Sequence, residues 1–192
     1  IVHIHDPDDH WQEAIEGAYP ALEKLRSEGT IGAVSAGMNQ WQMLARFAQE
    51  GDFDCFLLAG RYSLLDQSAV HELLPLCLEK NIGIMAGGTY NSGILAKGAK
   101  PGATYNYSEA PTDIVQKASA IEAVAERHNV NIKAAASQFV FAHPAITSII
   151  PGTRQPERVE ENFNLITENI PTDFWQELRY QDLLDPAAPL PT

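Results

Sequence analysis

Short β-branched segments alternate with longer helical segments along this 192-residue chain, and this alternation restricts the fold more than any other feature. Segments with the composition and length of buried strands lie at residues 1–5, 31–36, 55–59, 82–86 and 146–150. Helical patterns lie at residues 11–27, 40–49, 69–80, 112–128 and 132–142, and near 156–167 and 172–183. Alternation of this kind predicts a parallel sheet with helices packed outside it.

Two architectures fit five such units, a doubly wound sheet and part of a (β/α)₈ barrel. No strand is followed by the Gly-x-Gly-x-x-Gly turn of dinucleotide-binding doubly wound sheets. Candidate functional residues instead follow several different strands, as they do in barrel enzymes. The sequence therefore predicts an α/β fold over residues 1–192, a single-domain (β/α)₈ TIM barrel that lacks its first three strands. Because the chain begins inside a strand pattern without methionine, we expect a piece of a longer protein.

The charge balance argues against two classes of partner. Thirteen Lys and Arg residues against twenty-five Asp and Glu residues give a net charge of −12, which repels nucleic acid and anionic membranes. The sequence contains no apolar run of membrane-spanning length and no signal-peptide pattern. The two cysteines, Cys55 and Cys77, have apolar neighbours and are predicted to be buried thiols. A cytoplasmic location is expected.

The segment SIIPGTRQPERVEEN, residues 148–162, joins the last predicted strand to a helix. Pro151 and Gly152 break the strand, and Pro156 is favoured in the first turn of the helix that follows. Free N–H groups at a helix start attract anions, and Arg154 and Arg158 add positive charge there. The segment is therefore interpreted either as a phosphate site or as an ordinary turn with solvated arginines.

His3 and His5 alternate on the first strand and so point to the same face. A strand-end pair of this spacing suits a metal-dependent hydrolase, but that site needs further ligands from later strands. His5 alone can serve as an acid, a base or a hydrogen-bond donor near neutral pH. A histidine that is simply satisfied in a turn with Asp6 and Asp9 is the remaining alternative.

Other strand ends also carry polar or small residues. Asn39 follows the second strand and either holds an amide ligand or, more simply, caps the next helix. Arg61 and Tyr62 follow the third strand, where they suit a polyhydroxylated or anionic ligand or else lie on the rim. The glycine-rich connection over residues 87–111 is predicted to be a lid or binding loop without regular structure. A phosphate-binding segment and a histidine at one edge of the sheet suggest a nucleotide cofactor and a second substrate.

The phrases HDPDDHW, GMNQWQ, LLAGRYSLLDQ, YNSGILAKG and SIIPGTRQPERVEEN together resemble the carboxyl-terminal two-thirds of the aldo-keto reductase family, most of all its aldose 1-dehydrogenase branch. The resemblance covers essentially the whole chain. It implies a TIM barrel that uses NADP or NAD as its cofactor and no metal.

The resemblance also implies roles for individual residues. His5 corresponds to the active-site histidine that orients the reacting oxygen. The positions that correspond to cofactor contacts are Gly37, Met38 and Asn39 at the nicotinamide amide, Gly87 where an aromatic residue usually stacks on the nicotinamide, Asn91, Ser92, Gly93 and Leu95 in the diphosphate loop, Gly152, Thr153, Arg154 and Arg158 at the adenosine phosphate, and Glu161 and Asn162 at the adenine. Gly152 replaces a lysine common in NADP-dependent members, so NAD is expected to be accepted too.

The family's catalytic tyrosine, lysine and aspartate lie in the first three barrel strands, which this sequence lacks. The expected function is that of an NAD(P)-dependent oxidoreductase that oxidises C1 of a fucose-like or arabinose-like aldose, or reduces an aldehyde. The alternative is a noncatalytic, cofactor-binding homologue or fragment, and a metal hydrolase is a third hypothesis. A small-molecule aldose or aldehyde is the expected partner, and exposed sheet edges suggest a homo-oligomer.

Overall fold

A computed structural model describes residues 1–191 of the chain. Within that part, five parallel strands form one sheet in the order in which they occur in the sequence. They are β1 (Val2–His5), β2 (Val34–Met38), β3 (Cys55–Ala59), β4 (Gly83–Gly87) and β7 (Ile146–Ile150). This arrangement confirms the predicted series of βα units.

Helices connect the strands and pack on one face of the sheet, because right-handed crossovers between successive parallel strands place them there. They are α1 (Trp11–Glu13), a π-helical turn (Ala14–Ala18) and α2 (Tyr19–Ser27), then α3 (Trp41–Glu50), α4 (Leu73–Glu79), α5 (Ile94–Lys97), α6 (Thr112–Arg127), α7 (Ile132–Phe141), α8 (Glu157–Leu165) and α9 (Thr172–Tyr180). In the described part of the chain, no helix is long and apolar enough to cross a membrane.

The core lies between this helical layer and the sheet. Alternate strand residues such as Ala36, Phe56 and Ile84 are fully or almost fully buried there. Most residues on the opposite face of the sheet are small or polar, and His5 lies there beside Gly37 on β2. Because that face is less covered, Leu57 and Met85 on it are only partly buried.

Two predicted boundaries are wrong by several residues. Strand β2 begins at Val34 and not at residue 31, because the N–H groups of Thr30 and Ile31 donate to the Leu25 carbonyl and so complete the end of α2. Helix α4 begins at Leu73 and not at residue 69. Pro75 then lies in the first turn, where its missing N–H costs no helical hydrogen bond.

The long connection after β4 is more ordered than expected. It contains a 3₁₀ turn (Asn91–Gly93), helix α5 and a small hairpin formed by β5 (Thr104–Tyr105) and β6 (Ser108–Glu109). The two hairpin-turn residues, Asn106 and Tyr107, both have positive φ, as a two-residue hairpin turn of type I′ requires. The prediction of a loop without regular structure is therefore wrong.

The structure confirms the predicted burial of one thiol, and it differs from the predictions for the other thiol and for the carboxyl-terminal tail. Cys77 is buried, and burial raises its pKa to about 12, whereas Cys55 is only partly buried. The sequence predicts a frayed or loosely packed tail over residues 186–192, but Ala188 is buried and its carbonyl accepts a hydrogen bond from Arg179. Thr192, which the same prediction included, lies outside the described residues.

Candidate active site

The carboxyl ends of the five strands bring most of the candidate residues to one edge of the sheet. Asn39 follows β2, and its Nδ2 donates a hydrogen bond of 2.9 Å to the carbonyl of Ala59 at the end of β3. Gln40, not Asn39, is the N-cap residue of α3, and its side chain makes no capping bond. The interpretation of Asn39 as a helix cap is therefore wrong, because its amide links two strand ends instead.

His5 ends β1 with its ring at the same edge. Its Nδ1 lies 2.9 Å from Oδ2 of Asp6, and its side chain is 58% exposed. A Cβ atom added at Gly37 would lie 3.2 Å from Cδ2 of His5. The ring therefore packs against the bare backbone of the neighbouring strand, which positions it at the edge.

His3 lies on the same face, one layer deeper. Its Nδ1 is buried without a hydrogen-bond partner within residues 1–191, and burial lowers its pKa. In this described part, no three His, Cys, Asp or Glu side chains cluster closely enough to hold a metal ion. The two-histidine pattern therefore does not extend to a set of metal ligands here.

A cleft of 280 Å³ opens between the segment that follows β4 and the segment that follows β7. We refer to it as the β4–β7 cleft, and its lining consists of Gly88, Thr89, Tyr90, Asn91, Ser92, Gly93, Ala96, Lys97, Lys133, Ile150, Pro151, Gly152, Arg158 and Asn162. Segments about sixty residues apart in sequence thus meet, and both of them were identified as candidate phosphate-binding segments from the sequence.

The β4 side of the cleft is a tight left-handed turn. Asn91, Ser92 and Gly93 all have positive φ, which reaches 96° at Gly93. The hairpin supports this turn from outside, since Oγ1 of Thr104 donates to the Ser92 carbonyl (3.0 Å) and the N–H of Tyr107 donates to Oγ of Ser92 (3.2 Å). The turn is therefore held in place by residues of the same long connection.

The β4–β7 cleft is positively charged although the whole chain carries a net charge of −12. Among the described residues, its lining includes Lys97, Lys133 and Arg158 and no acidic side chain. Lys133 makes an ion pair with Glu161 on α8, and this hydrogen bond lowers the pKa of the Glu161 carboxyl. Sequence reasoning identified Arg158 but missed both lysines, because Lys97 lies on α5 beyond the predicted diphosphate loop and Lys133 reaches the cleft from α7.

The structure separates the other predicted cofactor residues into three groups. Asn162 lines the cleft and accepts a long hydrogen bond (3.5 Å) from the Tyr90 hydroxyl, which also bonds Ser137 on α7. Thr153 and Arg154 line an outer depression that shares Gly152 and Arg158 with the cleft. Leu95 is fully buried and packs in the core. It is therefore not a direct cleft contact in this conformation.

Arg61 and Tyr62 do not form the predicted ligand-facing pair. Tyr62 is buried in the core and stacks on Phe139, with 5.2 Å between the ring centroids. Arg61 pairs with Asp66 (3.2 Å) and donates to Asn106 in the hairpin (3.1 Å). These contacts indicate that Arg61 anchors the hairpin.

A larger cavity of 630 Å³ lies between α6 and the start of α7. Its lining includes Glu122, Glu126 and Glu168 and no basic residue in the described part of the chain. Such a lining repels anionic ligands, so the smaller β4–β7 cleft is the better candidate for a phosphate-containing one.

Known proteins resemble the chain in both sequence and fold. A family model described as the aldo/keto reductase family matches residues 1–181. The chain is 36% identical over 185 residues to a pyridoxal 4-dehydrogenase from Microbacterium luteolum (96% of this chain, 54% of the relative) and 36% identical over 180 residues to a D-threo-aldose 1-dehydrogenase from a Pseudomonas species (93% and 55%). The chain thus spans about half the length of these relatives.

A solved structure, the holo form of an aldo-keto reductase from Bacillus halodurans, superimposes with a TM-score of 0.73. The sequences are 18% identical, and the match covers 95% of this chain and 60% of that one. At this level of identity the likeness concerns the fold, and it confirms that the five-stranded sheet has the architecture found in that enzyme.

Proposed function

Since this chain belongs to the aldo/keto reductase family, we propose that it provides the cofactor cleft and the substrate-orienting histidine of an NAD(P)-dependent oxidoreductase. The observation that supports this most is the meeting of the two candidate phosphate-binding segments in one positively charged cleft. His5 lies at the same edge of the sheet, three strands away from β4, which is about 14 Å at ordinary strand spacing. An extended dinucleotide placed along this edge would connect the two.

The residues of the cleft fit an anionic nucleotide. Lys97 and Arg158, together with the Glu161-paired Lys133, line a space without carboxylates in the described lining, and Gly93 has no side chain to block approach to the left-handed turn. Oγ1 of Thr89 and Oδ1 of Asn91 are buried without a hydrogen-bond partner among the described residues. Unpaired buried polar atoms are uncommon in native proteins, and here they belong to the segment that would surround the diphosphate.

The chain's own residues would bind and orient the reactants. Arg158 and Lys97 would neutralise phosphate charge, Asn39 would meet the nicotinamide amide, and His5 would hydrogen-bond the reacting oxygen. When bound, the nicotinamide would supply the two-electron acceptor for a hydride from the substrate carbon, and oxidation of the alcohol to the carbonyl would release one proton to the solvent.

The favoured substrate is an aldose oxidised at C1, with a pyridoxal or short-chain aldehyde as the alternative. The two relatives of equal identity are both named as dehydrogenases, one of an aldose and one of pyridoxal. Their shared direction of reaction supports oxidation, and their different substrates leave the substrate class to experiment.

A noncatalytic cofactor-binding role is the second candidate, and two buried tyrosines support it. Burial raises the pKa of Tyr62, and burial together with Asp66 raises the pKa of Tyr105 to about 12. Neither phenol is therefore suited to take the substrate's proton near neutral pH. A protein that binds NADPH but reduces no NAD(P)⁺ in the presence of aldoses or pyridoxal would support this second role.

The test of the cleft is a fluorescence titration of the chain with NADPH and with NADH. Replacing Arg158 by alanine removes an exposed charge–phosphate contact, which is expected to contribute about 1–2 kcal/mol and to weaken binding about 5- to 30-fold. Arg46→Ala is the matched control, because Arg46 is an exposed helical arginine on α3 that pairs with Glu50. Equal effects of both substitutions, or no binding by the unmodified chain, would overturn the proposed cleft.

A further inference from the structure

The carboxylate beside His5 is a feature that the proposed cofactor and substrate contacts leave unexplained. Oδ2 of Asp6 lies 2.9 Å from Nδ1 of His5. Over residues 1–191, Asp6 is the one side chain that pairs with this ring. The opposite edge of the ring, at Cδ2, faces Gly37, so the contact with Asp6 and the contact with Gly37 together fix how the ring is turned.

The turn that carries Asp6 is conformationally unusual. Asp6 and Asp8 both have positive φ, 44° and 40°, a region that side-chain-bearing residues seldom occupy. The N–H of Asp6 donates to the Gly37 carbonyl (2.9 Å), and Gln40 donates to Oδ1 of Asp8 (3.1 Å). Strained backbone of this kind is concentrated at functional sites, and here it directs the Asp6 carboxylate toward the preceding histidine.

We propose that Asp6 is a positioning residue that holds the neutral ring of His5 in the tautomer with its proton on Nδ1. A carboxylate only accepts hydrogen bonds, so the nitrogen that faces it must carry the proton. Nε2 then presents a lone pair at the edge of the sheet. This inference rests on the proposed function, and it specifies the form of the substrate that His5 meets.

A lone pair on Nε2 distinguishes two substrates by their hydrogen bonding. An alcohol or the C1 hydroxyl of a cyclic aldose can donate to Nε2, whereas the oxygen of an aldehyde has no proton to donate. The neutral site is therefore complementary to the hydroxyl form, and it favours binding of the substrate to be oxidised over binding of a carbonyl.

Nitrogen-15 NMR of the histidine rings tests the tautomer directly, without cofactor or turnover. In the unmodified chain, at a pH where the ring is neutral, we expect the pattern of a protonated Nδ1 for His5. Asp6→Gly removes the carboxylate and keeps a residue that tolerates positive φ, so the population is expected to shift toward protonated Nε2.

Asp8→Asn is the matched control, because it removes the same charge from the same turn at a position with the same backbone geometry but no contact with His5. It is expected to leave the His5 pattern unchanged. A protonated Nε2 in the unmodified chain, or an unchanged pattern in Asp6→Gly, would overturn the proposal. Since this readout needs no bound nucleotide, its failure is distinct from a failure of the cofactor cleft, which the NADPH titration reports.

Discussion

A lysine at position 152 is expected to increase the preference of the cleft for NADPH over NADH. Gly152 lies where the β4–β7 cleft meets the outer depression that contains Arg154. Among residues 1–191, an added Cβ atom would have no neighbour within 4 Å, and the φ angle of Gly152 lies outside the left-handed region. The substitution Gly152→Lys can therefore place an ammonium group there without steric conflict or backbone strain.

The size of the effect follows from charge and exposure. Two opposite unit charges 4 Å apart gain about 1 kcal/mol in a water-like dielectric, and a phosphate monoester carries about 1.5 to 2 negative charges at neutral pH. Ordering the lysine side chain costs about 0.5–1.5 kcal/mol. The net gain of about 1 kcal/mol lowers the Kd for NADPH about fivefold, whereas NADH, which lacks the 2′-phosphate, gains little.

Fluorescence titration with both nucleotides at low and high salt measures this effect, because added salt screens an exposed ion pair. Gly32→Lys is the matched control, because its added Cβ also has no neighbour within 4 Å in the described part of the chain. Gly32 lies in the loop before β2, at the amino ends of the strands. Equal tightening for NADPH and NADH, or the same tightening in Gly32→Lys, would refute the reasoning that this position faces the 2′-phosphate.

Three further predictions concern the site and its support. Gly37→Ala places a Cβ atom 3.2 Å from both His5 and Leu57, so it should shift the His5 ring resonances in NMR and lower the free energy of unfolding by about 1–3 kcal/mol. Phe139→Ala removes a fully buried ring stacked on Tyr62 and should cost about 3–5 kcal/mol in urea denaturation, against little change for the exposed Phe163→Ala. Burial lowers the pKa of His143, so as the pH falls the unfolded state binds this proton before the folded state does. The contribution of neutral His143 to the free energy of unfolding is therefore fully present above pH 6.5 and declines below it. In His143→Gln, the urea midpoint should depend less steeply on pH.

The strand order could be predicted from the sequence because each buried strand is a short apolar run between helical patterns. Ile31 shows why the boundaries are harder to predict. Its β-branched side chain favours a strand, but its N–H is used to end α2, and that hydrogen bond depends on where the preceding helix stops. Pro75 is a different case. Because proline is tolerated in the first turn of a helix but not in its interior, its position in the sequence already indicated that α4 begins within a few residues before it.

Only the part of the candidate site that lies next to strand ends could be predicted from the sequence. Residues next to strand ends, such as His5, Asn91 and Arg158, can be identified because parallel strands bring their carboxyl ends together. Lys133 follows no strand, and its place in the cleft depends on how α7 rotates against β7 and α8. Tyr62 was assigned to the wrong place because an aromatic residue after a strand fits a binding site and a core equally well.

Helix α7 borders the β4–β7 cleft, so its folding is coupled to ligand binding there. Its residues Ala134, Ala135, Ala136 and Ser137 are all buried, and the helix contributes Lys133 to the cleft and the Ser137 hydroxyl to the bond with Tyr90. A ligand in the cleft therefore binds only while this helix is folded. At a ligand concentration 100 times its Kd, local unfolding of α7 becomes about 100-fold rarer. Backbone amide hydrogens of α7 that exchange through this opening would slow by the same factor, so a buried helix would report the occupancy of the site.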